Sequence, residues 1–302
     1  MEDYTDFVRY LASKKSVDDR ALNQQVWEQL VVNLKDIDQP IRILEIGGGI
    51  GTMIERLLER DVLKNALFTL LDEQAENIAE ARRRLPAWAE KEGFHVSWDN
   101  QVLVLWKSGC EIQISFLTED LFNFLSHRNP ADKYDLLIAH AFLDLVDIPA
   151  TLPILFDLLQ SEGLFYFTIN FDGETILEPK IPDDAQIIDR YHQTMDARMI
   201  NGKLSGDSRA GRHLFTHLKN AGGEILSAGS SDWVVFANQN GYPADEAYFL
   251  RFIINTIHNA LPADGEIAQD RIDTWTGTRK SQITARTLVY IAHQLDFLGR
   301  FP

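Results

Sequence analysis

Residues 43–52 read ILEIGGGIGT, so a carboxylate, Glu45, stands just ahead of four glycines at positions 47, 48, 49 and 51. An apolar run that breaks into glycine ahead of a helix turns backbone N–H groups, and the positive end of that helix, toward a ligand. The spacing narrows the ligand. A dinucleotide fingerprint needs G-x-G-x-x-G, whereas position 52 holds Thr52, and no glycine run is followed by the Lys-Ser or Lys-Thr of a P-loop. The pattern that does stand is G-x-G-x-G, at Gly47, Gly49 and Gly51. Glu45 facing a pyrophosphate at ~4 Å, with an effective dielectric of about 20, would cost on the order of 4 kcal/mol per unit charge. A cationic ligand without phosphate reverses that sign.

With its acidic residue and three spaced glycines, the stretch resembles the first motif of the class I (Rossmann-like) S-adenosylmethionine-dependent methyltransferases, which has the form acidic-x-G-x-G-x-G. S-adenosylmethionine carries a sulfonium and an ammonium and no phosphate. The resemblance continues along the chain, over residues 41–238. It implies that Asp72, in LLDE, and Glu73 beside it hold the ribose hydroxyls. Asp120, in FLTEDLF, would receive the adenine amino group while the next backbone N–H, that of Leu121, reaches a ring nitrogen; Glu119 is the neighbouring alternative. YDLLIAHAF resembles the fourth-strand motif, opening on Asp135 and ending over the methyl donor at His140, Ala141 and Phe142.

Each of these has an ordinary structural alternative. Asp72 and Asp120 both precede apolar helical runs and could be helix N-caps. Asp135 reads as a strand-start residue. His140, at the carboxyl end of a strand, is placed for general-base work as well as for cofactor binding, and would equally suit a backbone hydrogen bond. Asp144 could cap the turn before Pro149. Tyr191, His192, Arg209 and Arg212 are the substrate candidates. Arg20 and Asn23 could fold over the cofactor and meet its carboxylate. Trp275, Arg279, Gln282, Tyr290 and His293 could line a substrate chamber, although helical spacing makes packing their default role.

The elements that would position these groups are legible as alternation. Residues 3–34 carry apolar positions at helical spacing, with a break near KKSVDDR. IRILEIG, ALFTLLDE, YDLLIAH and GLFYFTIN read as strands and TMIERLLER and QAENIAEARRRLPAWAEK as helices, a βαβ succession that requires a parallel sheet. FHVSW, QVLVLW and EIQISF, divided by turn residues, form a hairpin insertion near residues 94–110 that leads into another parallel strand. Residues 172–208 form a long lid-like excursion. EILSAGSSDWVVFAN reads as a closing antiparallel hairpin, and the chain beyond Pro243 as helical, with segments at 244–261 and 279–298. The expected fold is therefore α/β, a Rossmann-like seven-stranded mostly parallel sheet with an antiparallel final hairpin and helical extensions at both ends. Residues 1–40 are the N-terminal helical segment, 41–240 the core, and 241–302 the C-terminal helical extension.

Composition limits the partners. A net charge of -16 disfavours nucleic acid, and the one arginine cluster, Arg82 to Arg84, ends an acidic helix. The single cysteine, Cys110, leaves no intramolecular disulfide, and no membrane span or secretion signal is readable, so a cytoplasmic location is expected. The expected activity is methyl transfer from S-adenosylmethionine to an O, N or C atom of a small-molecule acceptor, with no metal. The alternatives are a noncatalytic binding or scaffold protein on the same fold and, against the glycine spacing, a nicotinamide-dependent oxidoreductase. Apolar C-terminal helices would serve a roof over the cleft or a homodimer interface.

Overall fold

The computed structural model describes residues 6–35, 37, 40–200, 202–261 and 266–302. The remainder of the expected N-terminal helical segment, and residue 201 of the excursion, lie outside the described residues. Helices α1 (Phe7–Ala21) and α2 (Gln24–Leu34) precede β1 (Ile41–Ile46), followed by α3 (Thr52–Glu59), β2 (Asn65–Asp72) and α4 (Ala75–Lys91). The hairpin β3 (His95–Asp99) and β4 (Val102–Lys107) leads to β5 (Cys110–Thr118), then α5 (Leu121–His127), β6 (Tyr134–His140), α6 (Ile148–Phe156) and the long β7 (Leu159–Glu178). Beyond it come α7 (Asp184–Asp196), a small ribbon of β8 (Met199–Ile200) and β9 (Lys203–Leu204), and α8 (Ala210–Asn220). The chain continues through β10 (Glu224–Ser230), β11 (Trp233–Val235), α9 (Glu246–Ala260) and α10 (Gln269–Thr284) to β12 (Val289–Phe301).

The sheet runs β10-β12-β7-β6-β1-β2-β5-β4-β3, with β11 also paired to β12. Its centre is parallel: β1 pairs β2 and β6, β2 pairs β5, and β6 pairs β7. Strand β1 buries alternate residues against opposite layers, Ile41 and Ile43 in one cluster and Leu44 and Ile46 in the other. The first layer is built on α2, α3 and α4, the second on α5, α6 and α8. The chain order reverses between β1 and β6, the place where ligands sit beyond the carboxyl ends of strands in doubly wound sheets. Among the described residues no helix is long and apolar enough to cross a membrane.

The α/β class and the parallel core agree with the expectation, and five features differ. The sheet has ten strands rather than seven. The closing hairpin expected over residues 224–238 is absent as such: β10 and β11 both pair antiparallel with β12, not with each other. Among the described residues of 241–302 the helices are Glu246–Ala260 and Gln269–Thr284, and the segment expected as helix to residue 298 ends in β12, inserted between β7 and β10. The charged KKSVDDR segment does not break a helix either. It lies inside α1, which runs to Ala21, because Lys14 and Asp18 point inward and satisfy each other there. The excursion is more regular than expected, since β7 continues to Glu178 and pairs with β12 as far as Val289.

Helix α1 crosses the molecule to pack on α9. Tyr10 stacks on Phe252 with ring centroids 4.0 Å apart, Arg9 pairs with Asp245, and Ser16 and Arg20 both reach the buried Glu246. These two helices roof the carboxyl ends of the central strands.

Candidate functional site

The glycine turn leaves β1 with Gly47 and Gly49 at φ +63° and +55°, a left-handed region open to glycine without strain. Asp72, at the end of β2, braces it. Its Oδ2 accepts from the Gly49 N–H at 2.8 Å, and its Oδ1 accepts from Gln74 N at 2.8 Å and Asn77 Nδ2 at 3.1 Å. Three of about four acceptor directions on this carboxylate are thus filled by the chain itself. Glu73 beside it is exposed and accepts from Gln74 Nε2. Asp120 caps α5, its Oδ1 accepting from Phe122 N and Asn123 N, while Leu121 begins that helix. Asp120 is thus the helix N-cap foreseen as its alternative, whereas Asp72 is not an N-cap, that place in α4 being Gln74, and braces the glycine turn; both line the cleft.

Glu45 is different. It is 2% exposed, and its Oε2 has no hydrogen-bond partner among the described residues. Its carboxyl carbon lies 3.3 Å from the point that a Cβ on Gly48 would occupy, directly under the turn. Burial, opposed by Arg56 and reinforced by Asp72, pushes its pKa up to about 8. In the ligand-free protein Glu45 is a neutral acid at pH 7, and a cation against it would draw the proton off.

Across the cleft lies a charged cluster that sequence reasoning missed. Lys14 and Asp18, one turn apart on α1, are both buried and 2.8 Å apart. Asp18 also accepts from Trp233 Nε1 at 2.8 Å and from His140 Nε2 at 2.9 Å, and lies 3.4 Å from Arg56 Nη2. Burial alone would raise its pKa, yet Lys14, His140 and Arg56 together hold the carboxyl well below the usual range. Charged residues at i and i+4 on a helix normally mark a solvated face; nothing local shows that this face turns inward.

His140 sits at the carboxyl end of β6, as expected, with both ring nitrogens engaged. A carboxylate can only accept, so the proton is assigned to Nε2, which donates to Asp18, leaving Nδ1 to accept from the Thr168 hydroxyl at 2.7 Å. Burial and Lys14, against the pull of Asp18, lower its pKa to about 4. This imidazole is neutral, and its lone pair is committed to Thr168.

The remaining candidates divide. Tyr191 lines the cleft, but His192 instead bonds Thr175 Oγ1 at 3.0 Å, and Arg209 and Arg212 are exposed outside it, Arg212 holding Asp172. Arg20 is taken by Glu246, and Asn23 caps α2 and reaches Ser230 O. Trp275 and Arg279 are core residues tied to Asp184, and His293 pairs with Asp232; of the C-terminal candidates only Tyr290 faces the cleft. The residues that join it unforeseen are Tyr10 and Lys14 from α1, Arg198 after α7, Trp233 on β11 and Phe252 on α9.

The whole cleft holds about 1360 Å³. A site for one small ligand is typically about 300–1,000 Å³, so this one has room for two. One half, at β1, β2 and β5, is the glycine turn with its carboxylates. The other half, at β6, β7 and β12 under α1, α7 and α9, is walled by aromatic rings and the phenols of Tyr10, Tyr191 and Tyr290.

Comparison with protein-family models and with curated protein sequences finds no match. Solved structures are similar in outline. The chain is 11% identical to mycolic acid cyclopropane synthase CmaA1, complexed with SAH and CTAB, over 92% of this chain and 84% of that one, with a TM-score of 0.47. It is 15% identical to the cyclase SpnF, over 92% and 83%, TM-score 0.40. Geranyl diphosphate C-methyltransferase from Streptomyces coelicolor A3(2) is 9% identical, over 91% and 78%, TM-score 0.44. Likenesses at this level decide nothing about this chain's chemistry.

Proposed function

We propose that the cleft binds S-adenosylmethionine and that the protein transfers its methyl group to an O, N or C atom of a small-molecule acceptor. The observation that carries the reading is Glu45 Oε2, a buried acceptor without a partner, under a glycine turn that has no lysine or arginine of its own. A buried polar atom left unmatched is destabilising until something donates to it. A ligand with an ammonium group and no phosphate meets that need; a pyrophosphate aggravates it.

When bound, S-adenosylmethionine supplies an electrophilic methyl group on a positively charged sulfur. The chain's own residues then bind and align. Glu45 and the turn from Gly47 to Gly51 take the amino-acid end, with Lys14 the cation nearest to hand for its carboxylate. Glu73 and the unfilled acceptor direction of Asp72 take the ribose hydroxyls. The second carboxylate oxygen of Asp120 and the Leu121 N–H, the first of its helix and without an acceptor inside it, suit an adenine edge. His140, held neutral by Asp18 and Thr168, acts as a fixed wall between the two halves rather than as a base. The second half of the cleft supports a small acceptor, as does the net charge of -16, which is unfavourable for nucleic acid.

Thermal melting tests the reading. S-adenosylmethionine and S-adenosylhomocysteine at about 100 times the dissociation constant should add about 2.7 kcal/mol. No shift with either, together with a shift from a nicotinamide nucleotide, would replace this reading with the oxidoreductase one.

A further inference from the structure

Two charged groups in the second half of the cleft, Asp144 and Arg198, act on each other electrostatically and make no direct side-chain contact among the described residues. Asp144 stands in the turn Leu143–Leu145 just beyond β6, and its Oδ1, shielded from solvent, accepts no hydrogen bond among the described residues. Arg198 lines the same chamber from the run between α7 and β8, and among the described residues its guanidinium makes no hydrogen bond or ion pair within contact distance. The two segments are joined through the α7–α8 connection: Ser205 N donates to Arg198 O, and Asp207 N to Asp144 O. Tyr10, Tyr191, Phe171 and Phe252 line the same cleft.

A carboxylate oxygen and a guanidinium that lack hydrogen-bond partners among the described residues, in one largely apolar chamber, suit a ligand with two polar ends. Guanidinium is the side chain suited to a bidentate grip on a carboxylate. A carboxylate that can only accept selects an O–H or N–H. We propose that the acceptor molecule carries an acidic group, held by Arg198, on an aromatic or otherwise apolar body, and presents its nucleophilic O–H or N–H to Asp144 Oδ1. Burial raises the Asp144 pKa and Arg198 opposes that rise. The Tyr191 phenol, pushed up to about 12 by burial and by Asp144, stays protonated as a further donor in the chamber.

The inference rests on the two-ligand reading of the cleft, and its test separates the two. Three probes, 4-hydroxybenzoate, 4-hydroxyphenylacetate and 3-(4-hydroxyphenyl)propionate, are titrated calorimetrically into the full chain with and without saturating S-adenosylhomocysteine. Their methyl esters and the analogues lacking the hydroxyl serve as controls. At least one acid should bind at least tenfold tighter than its ester. Arg198→Gln should erase that preference and Arg198→Lys restore part of it, with S-adenosylhomocysteine affinity and melting temperature unchanged. Asp144→Asn should weaken the hydroxylated acid and leave its deoxy analogue alone. Acids and esters binding alike at all three lengths, or an acid preference indifferent to Arg198, would overturn the proposal. An acid preference that depends on Arg198 in a protein that ignores S-adenosylhomocysteine would uphold this site and sink the cofactor reading instead.

Discussion

Glu45 makes the cofactor proposal testable by protons alone. Its pKa of about 8 in the ligand-free protein lies above the ordinary carboxylate value, so the group is neutral below about pH 8 and ionises when a cation arrives. Binding of S-adenosylmethionine near pH 7 should therefore release close to one proton. Below about pH 8 its affinity should fall toward tenfold per pH unit. Calorimetry in two buffers of different ionisation enthalpy measures the release, and Glu45→Gln should abolish both it and the pH slope. The same shift bears on folding. A carboxyl whose folded pKa is raised contributes stability fully present below its unfolded value and lost as pH climbs through about 8, so Glu45→Gln should raise the melting temperature more at pH 9 than at pH 6. At this scale the sequence was readable where type and spacing were unusual, as at Glu45 and the glycines. It was unreadable where a common pattern faced an uncommon way. Lys14 and Asp18 look like any i, i+4 pair on a wet helix, and only the packing of α1 over β11 and α9 turns them inward.

Among the elements, β12 shapes the second half of the cleft. It contributes Tyr290 and Gln294 to the cleft wall, and Asp296 accepts from the N–H of Ile169, which is held at φ +58°, a strained conformation for a β-branched residue. Close approach of its neighbours requires Gly299: a Cβ there would lie 2.0 Å from Phe165 Cζ and 2.4 Å from Glu224 O. Gly299→Ala should destabilise by at least the roughly 1–3 kcal/mol of an overpacked core, measured by urea unfolding, whereas alanine at the open Gly277 should not. The five central parallel strands were legible because their apolar runs are short, β-branched and punctuated. The strand β12 was not, for two reasons. Its burial alternates from Val289 to Asp296, but two of the buried positions there are Gln294 and Asp296, so the sequence shows no apolar alternation to match. The preceding helix α10 ends on Ala285 and turns at Arg286, with φ +62°, so no glycine or proline marks the change.

For the molecule as a whole, a charge of -16 forms an attractive field for a cationic ligand. S-adenosylmethionine, with one net positive charge, should associate more slowly as salt rises from 20 to ~300 mM, where the screening length shrinks below about 10 Å. The neutral S-adenosylhomocysteine should associate at a rate that scarcely changes, and stopped-flow quenching of Trp233 fluorescence, beside the Lys14–Asp18 pair, provides the readout. Equal salt dependence for the two would remove long-range steering from the picture. One further consequence concerns how such a sheet is assembled in time. The strand that comes latest in the chain sits inside the sheet, between two strands made long before it. During synthesis β7 and β10 must therefore wait with open edges, hydrogen-bonding groups bare, for a partner some sixty residues behind β10. Nearly all its pairings close long loops, which makes them slow to form. A ribosome stalled before β12 emerges should hold a sticky, protease-sensitive nascent chain, and the second half of the cleft would be among the last features to form.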